Sequence, residues 1–136
     1  MGSLIDTSIF IESERGRLDL DRHLASRLED DFFMSVITAS ELLIGVHRTA
    51  PKFRIAREAR IERWIEQFTV LEIDLAVARS HAVLLASLKT KGEIIGPHDV
   101  WLAATCLSRG LSMVTANVRE FSRVPDLEVE NWAGNQ

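Results

Sequence analysis

The chain has 136 residues, 46% hydrophobic and 26% charged, with a formal net charge of −4, values that suit one globular domain over 1–136 with a core of its own. No apolar stretch reaches the roughly 20 residues that cross a bilayer, and no basic-then-apolar leader opens the chain, so a cytoplasmic protein without membrane attachment is expected. One cysteine, Cys106, excludes an internal disulfide and a zinc-spaced cluster, and the negative total argues against indiscriminate nucleic-acid binding.

Apolar runs with strand-like and helix-like periods alternate along the chain. "SLID" reads as a strand ending at Asp6, Leu18–Leu28 as a helix, and "DFFMSVI" as a second strand. "ASELLIGV" is a helix ending near Gly45, and Pro51 separates it from a long amphipathic helix over Lys52–Phe68. "TVLEI" is the third strand. Asp74–Thr90 then places Leu75, Ala78, Ala82, Leu85 and Leu88 at helical spacing. Gly92 and Gly96 bracket a loop, Pro97 opens a helix that runs to about Arg109, and Gly110 stops it. Cys106 lies in that helix and reads as buried packing. "LSMVT" and "DLEVE" are the fourth and fifth strands, with a short helix at Val118–Phe121 between them. The alternation predicts an α/β protein with a mainly parallel, roughly five-stranded sheet covered on both faces.

Several polar residues follow these strands, and each has a local reading and a chemical one. Asp6 can cap the short helix after the first strand. Thr38 and Glu41, in "TASE", have capping-box spacing, which Asn117 and Glu120 in "NVRE" repeat. Asp99 lies in the first turn of the Pro97 helix, where the helix dipole favours a carboxylate. Considered together, Asp6, Glu41, Asp99 and Asn117 all fall at the carboxyl edge of a parallel sheet, where such folds bind ligands. Three carboxylates brought to one point repel one another unless cations neutralise them. An all-oxygen set without Cys or His suits Mg²⁺ or Mn²⁺ better than zinc, and such ions activate water for phosphodiester hydrolysis.

The segments "LIDTSIFIE", "SVITASELLIGV" and "GPHDVWLAATCLSRGLSMVTANVREFSRVPDLEVENW" resemble, in this order, the signature segments of PIN-domain ribonucleases, specifically the VapC toxins of bacterial toxin–antitoxin pairs. The resemblance implies a three-layer α/β/α fold, Mg²⁺- or Mn²⁺-dependent cleavage of structured RNA such as tRNA or rRNA, a VapB-type antitoxin and a homodimer. Position by position, Asp6, Glu41 and Asp99 match the family's metal-binding acids, and Asn117 stands where many relatives have a fourth acid. An amide is a weaker ligand; Glu120, one helical turn on, reads first as a cap of its own helix and only failing that as the substitute. Thr115 matches a hydroxyl that orients metal or scissile phosphate, a role also open to Thr7 or Ser8, whereas Thr38 serves the backbone. His98 adjoins Asp99, but sequence neighbours on a helix point apart. Trp64 and Trp101 read as packing residues, and Trp132 is left open.

The stretch "HRTAPKFRIAREARIERW" holds six Lys/Arg against two Glu, a local +4 that leaves −8 elsewhere. It reads as a solvated helix face, as an RNA track with Arg57 and Arg60 as contacts, or as a surface for a protein partner. Two kinds of rival are weighed against the nuclease. A haloacid-dehalogenase-type phosphatase needs a second aspartate where this chain has Ser8, and a receiver domain needs an acidic pair before the first strand and a lysine after the last, neither of which is present; a PIN-fold module that binds RNA or protein without cutting would be expected to lack one of the acids.

Overall fold

The computed structural model describes residues 2–132. Five strands, β1 (Gly2–Ile5), β2 (Asp31–Ser35), β3 (Thr69–Leu71), β4 (Ser112–Val114) and β5 (Val129–Glu130), form one sheet in the order β3-β2-β1-β4-β5. Every pairing is parallel. Between them run α1 (Thr7–Glu14), α2 (Leu20–Ala25), α3 (Val36–His47), α4 (Pro51–Gln67), α5 (Leu75–Lys91), α6 (Pro97–Arg109) and α7 (Val118–Phe121). This is the expected α/β/α arrangement, and period-2 alternation explains its two cores. Ile5, Met34 and Val114 face a cluster with Phe10, Leu42 and Trp64. Leu4 and Met113 face the other way, towards Leu84, Leu88, Leu102 and Phe121. Phe10 and Phe121 are fully buried, and each such side chain contributes about 2–3 kcal/mol by leaving water. Cys106 is also fully buried, as its apolar neighbours suggested.

Local chemistry sets most boundaries, and in places it moves them from the expected ones. The Ser35 hydroxyl accepts the Ile37 N–H at 3.0 Å, so β2 stops at Ser35 and α3 starts at Val36, ahead of "TASE". Asp19 caps α2 through the Arg22 N–H at 3.1 Å, trimming that helix to Leu20–Ala25. Asp74 accepts the Val77 N–H at 3.0 Å, which ends the third strand at Leu71 instead of Ile73. Gly92 and Gly110 end α5 and α6 with φ of 70° and 69°, in the left-handed region that glycine enters without a Cβ clash. In α5 the inward face is Val77, Leu84 and Leu88, while Leu75 is 65% exposed, so the expected apolar stripe is rotated. Among the described residues no helix is long and apolar enough to cross a membrane.

From β1 the chain crosses in one direction to β2 and β3 and in the other to β4 and β5. The carboxyl ends of β1 and β4 therefore flank the crevice where open parallel sheets bind ligands. The Ile5–Val114 register brings Asp6 and Thr115, the residues that follow, to that crevice.

Candidate functional site

Asp6 is 3% exposed and occupies the N-cap position of α1, but its side chain makes no capping hydrogen bond. Its Oδ2 accepts instead from Ser8 Oγ at 2.6 Å and Thr115 Oγ1 at 2.8 Å. Burial pushes its pKa up, and the Ser8 and Thr115 hydroxyls only partly oppose this. Thr115 is fully buried. Its proton goes to Asp6 and its oxygen accepts the Asn117 N–H at 2.9 Å, so the hydroxyl acts by orienting Asp6.

Glu41 is held at both oxygens. Oε1 accepts from Thr7 Oγ1 at 2.6 Å, and Oε2 lies 3.1 Å from His98 Nδ1. Thr7 has one proton, and the shorter bond to a carboxylate claims it. Thr38 Oγ1, 2.9 Å away, then donates to the Thr7 oxygen. Glu41 thus forms no capping box with Thr38, because Ser35 already caps α3 one turn earlier. His98 does point away from Asp99, but it lands on Glu41, 57 residues distant in the chain.

Asp99 sits in the first turn of α6, with its pKa pushed up to about 7. Burial is the largest cause, followed by the Asp6 charge, a hydrogen bond with Glu120, and the charges of Glu120 and Glu41. Glu120 does not cap α7. Its Oε1 accepts the Gly96 N–H at 2.6 Å, tying α7 to the start of α6. A Cβ on residue 96 would stand 3.3 Å from Asp99 Oδ2 and 3.5 Å from Glu120 Oε1, so glycine lets the two acids close over the backbone.

Asp6, Glu41, Asp99 and Glu120, from four separate segments, thus interact at one sheet edge. Among the described residues no group of three or more His, Cys, Asp or Glu side chains is placed to hold a metal ion; Asp6, Glu41 and Glu120 are engaged with hydroxyls, an imidazole and a backbone amide, and Asp99 with Glu120. The donors are nevertheless all oxygen and, at Asp6 and Asp99, hard to ionise together, which fits a hard divalent cation. Asn117 is exposed and its side chain does not cap α7; Glu120 is the residue beside Asp99. Its signal in the sequence was its place one helical turn past Asn117.

The basic helix is arranged differently from the expectation of RNA contacts. Arg57 Nε and one terminal nitrogen donate to Glu14 at 3.0 and 2.9 Å, and its other terminal nitrogen donates to Gly45 O at 2.9 Å. Arg60 donates to Glu14 at 2.7 Å. Burial alone would raise the Glu14 carboxyl, but hydrogen bonds and charge from both arginines overcome it and hold its pKa below the usual value. Arg57 and Arg60 therefore fasten α4 to α1 and α3. Trp64 is buried against Phe10, and Trp132 is buried and stacked on His23 at 4.7 Å, so neither offers a free face to a base. Trp101 stacks on His81 at 3.6 Å.

A PIN-domain family model matches residues 3–127. Ribonuclease VapC1 of Rickettsia felis is 36% identical over 132 residues, 95% of each chain. The tRNA(fMet)-specific endonuclease VapC of Salmonella typhimurium is 32% identical over 130 residues, again 95% of each. The crystal structure of DNA-bound VapBC from Salmonella typhimurium superposes with a TM-score of 0.89 at 29% identity, covering 98% of this chain and all of its counterpart. With the acids of the crevice lying inside the matched span and relatives aligned along nearly their whole length, this chain belongs to the PIN-domain family, among the VapC ribonucleases.

Proposed function

We propose that the protein is a Mg²⁺-dependent endoribonuclease toxin, able to use Mn²⁺, that cuts structured RNA such as tRNA or rRNA and is neutralised by a VapB-type antitoxin. The observation that carries this reading is the meeting of Asp6, Glu41, Asp99 and Glu120, with Asp99 driven to about 7 by burial and by its neighbours. A divalent cation bound there would relieve the repulsion among these carboxylates and release the proton that Asp99 holds near neutral pH.

Asp6, Glu41 and Asp99 would hold the ion, with Glu120 in the place of the fourth acid and Asn117 at most an outer contact. Mg²⁺ bound there supplies Lewis-acid polarisation of the phosphodiester and eases deprotonation of the attacking water. The chain's own work is positional. Ser8 and Thr115 aim Asp6, Thr7 and His98 aim Glu41, and the Gly96 amide aims Glu120. No side-chain base is required.

The relatives supply the rest of the proposal. The Salmonella enzyme's name specifies tRNA(fMet) as its target, and solved relatives are VapBC complexes. A cognate antitoxin is proposed by likeness to these complexes, and a cytoplasmic homodimer is a further part of the proposal. The test is a purified cleavage assay on a tRNA panel with Mg²⁺ and with EDTA. Wild type should cut only with the metal, and Asp6→Asn should not cut. An Asp6→Asn protein that still cuts removes the enzyme proposal, and a wild type that binds RNA without cutting installs the non-catalytic module in its place.

A further inference from the structure

Beside the carboxylates lies a cleft of about 380 Å³ lined by Ala116, Asn117, Val118, Arg119, Glu120 and Arg123. Glu120 belongs to both places, since it lines the cleft and also accepts the Gly96 N–H beside Asp99. Two guanidinium groups thus flank an acid of the site, and neither is neutralised. Arg119 is exposed and forms no ion pair among the described residues. Arg123 is also exposed and donates to the Ile94 carbonyl at 2.8 Å, a bond that orients the guanidinium while leaving its charge intact. The Asn117 side chain, on the same wall, is exposed and uncommitted.

Other arginines differ on one point or the other. Arg57 and Arg60 are paired with Glu14, Arg27 with Asp30 and Glu130, and Arg109 with Asp74. Arg22, Arg63 and Arg79 line other clefts, none of which includes a carboxylate of the site. The need for such charges is plain. A phosphodiester brought against four carboxylates is repelled, and one divalent ion offsets only part of that. An adjacent pair of arginines at a backbone-binding cleft offsets more of it and adds forked donors that match phosphate geometry.

We infer that this cleft is a phosphate subsite for the RNA strand, in which Arg119 and Arg123 bind the backbone next to the phosphodiester being cut and the Asn117 amide donates to a phosphate oxygen. The inference rests on the ribonuclease reading above and moves the RNA contact from α4 to α7 and the turn that follows it.

The experiment measures fluorescence anisotropy of a short fluorescein-labelled single-stranded RNA over a KCl series, in Asp6→Asn protein so that the probe survives. Adding Arg119→Ala and Arg123→Ala should weaken binding about tenfold and flatten the log–log salt slope by roughly 1.4, about 0.7 for each lost phosphate contact. Lysine at both positions keeps the charge and should restore most of both effects. In the wild-type background the Ala pair should leave the Mg²⁺-induced rise in melting temperature unchanged. Unaltered affinity and slope in the Ala pair overturn the subsite while leaving the ribonuclease reading intact. Equal losses in the Ala and Lys pairs, with a lowered melting temperature, assign the arginines to structure and overturn it as well. A wild type that neither binds nor cuts RNA fails the ribonuclease reading itself, and the subsite falls with it.

Discussion

Replacing Asp99 with asparagine takes one negative charge out of a group of four carboxylates while keeping the size of the side chain and a donor for Glu120. In the metal-free protein Asp99 titrates at about 7 instead of its ordinary 3.8. Each pKa unit corresponds to about 1.4 kcal/mol, so an ionised Asp99 opposes folding by about 4 kcal/mol at most, and solvent screening at this partly exposed position reduces that to about 2–3 kcal/mol. The direction follows from proton linkage. Between about 4 and 7 the folded chain holds a proton that the unfolded chain has released, so metal-free stability falls as pH rises through that window. An asparagine side chain at this position neither gains nor loses a proton there. In EDTA at about pH 8, Asp99→Asn should melt roughly 5–10 °C above wild type, and its stability should lose the part of the wild-type decline between about pH 4 and 7 that Asp99 causes. Adding Mg²⁺ should raise the melting temperature of wild type more than that of the variant, because the variant has lost a ligand. The assay is thermal unfolding followed by circular dichroism across pH, with EDTA and with Mg²⁺. An asparagine variant no more stable than wild type in EDTA at high pH, with the same Mg²⁺ response, would refute the claim that these acids share one crowded site.

Other perturbations separate the site's parts. Gly96→Ala puts a methyl group 3.3 Å from Asp99 Oδ2; it should reduce RNA cleavage tenfold or more while changing stability by under about 1 kcal/mol, read by kinetics and by urea unfolding. His98→Ala releases one Glu41 oxygen and should weaken Mn²⁺ binding by about tenfold in calorimetry; unchanged binding would make the contact incidental. Glu14→Ala leaves Arg57 and Arg60 facing each other without their shared anion, which should destabilise the fold by about 2–3 kcal/mol in thermal unfolding. Because the Glu14 pKa is lowered, the stability it contributes is present above the ordinary glutamate range and is lost as pH falls through its folded value.

The chain's own residues announce the order of elements and the candidate acids. Pro97 and Gly110 bracket α6, Gly92 ends α5, and Pro51 begins α4, because these residues act on the backbone within a turn of themselves. Strand residues such as Leu4 and Ile5 are apolar in succession since both sheet faces are covered. That Asp6 and Asp99 fall at strand and helix termini is likewise local. Where several short-range arrangements fit equally well, only the folded chain selects among them. "TASE" has the spacing of a capping box, yet Ser35 takes the cap and leaves Glu41 to Thr7 and His98. Glu120 could have capped its own helix, but the Gly96 amide, 24 residues earlier, is the donor it meets. Arg57 and Arg60 look like solvated or RNA-facing charges until α1 brings Glu14 against them across 43 and 46 residues. Spacing along a chain governs hydrogen bonds that close within a turn; a partner tens of residues away depends on the path of the backbone, and that path is set by burying two apolar faces around the sheet, an energy to which these polar side chains contribute little.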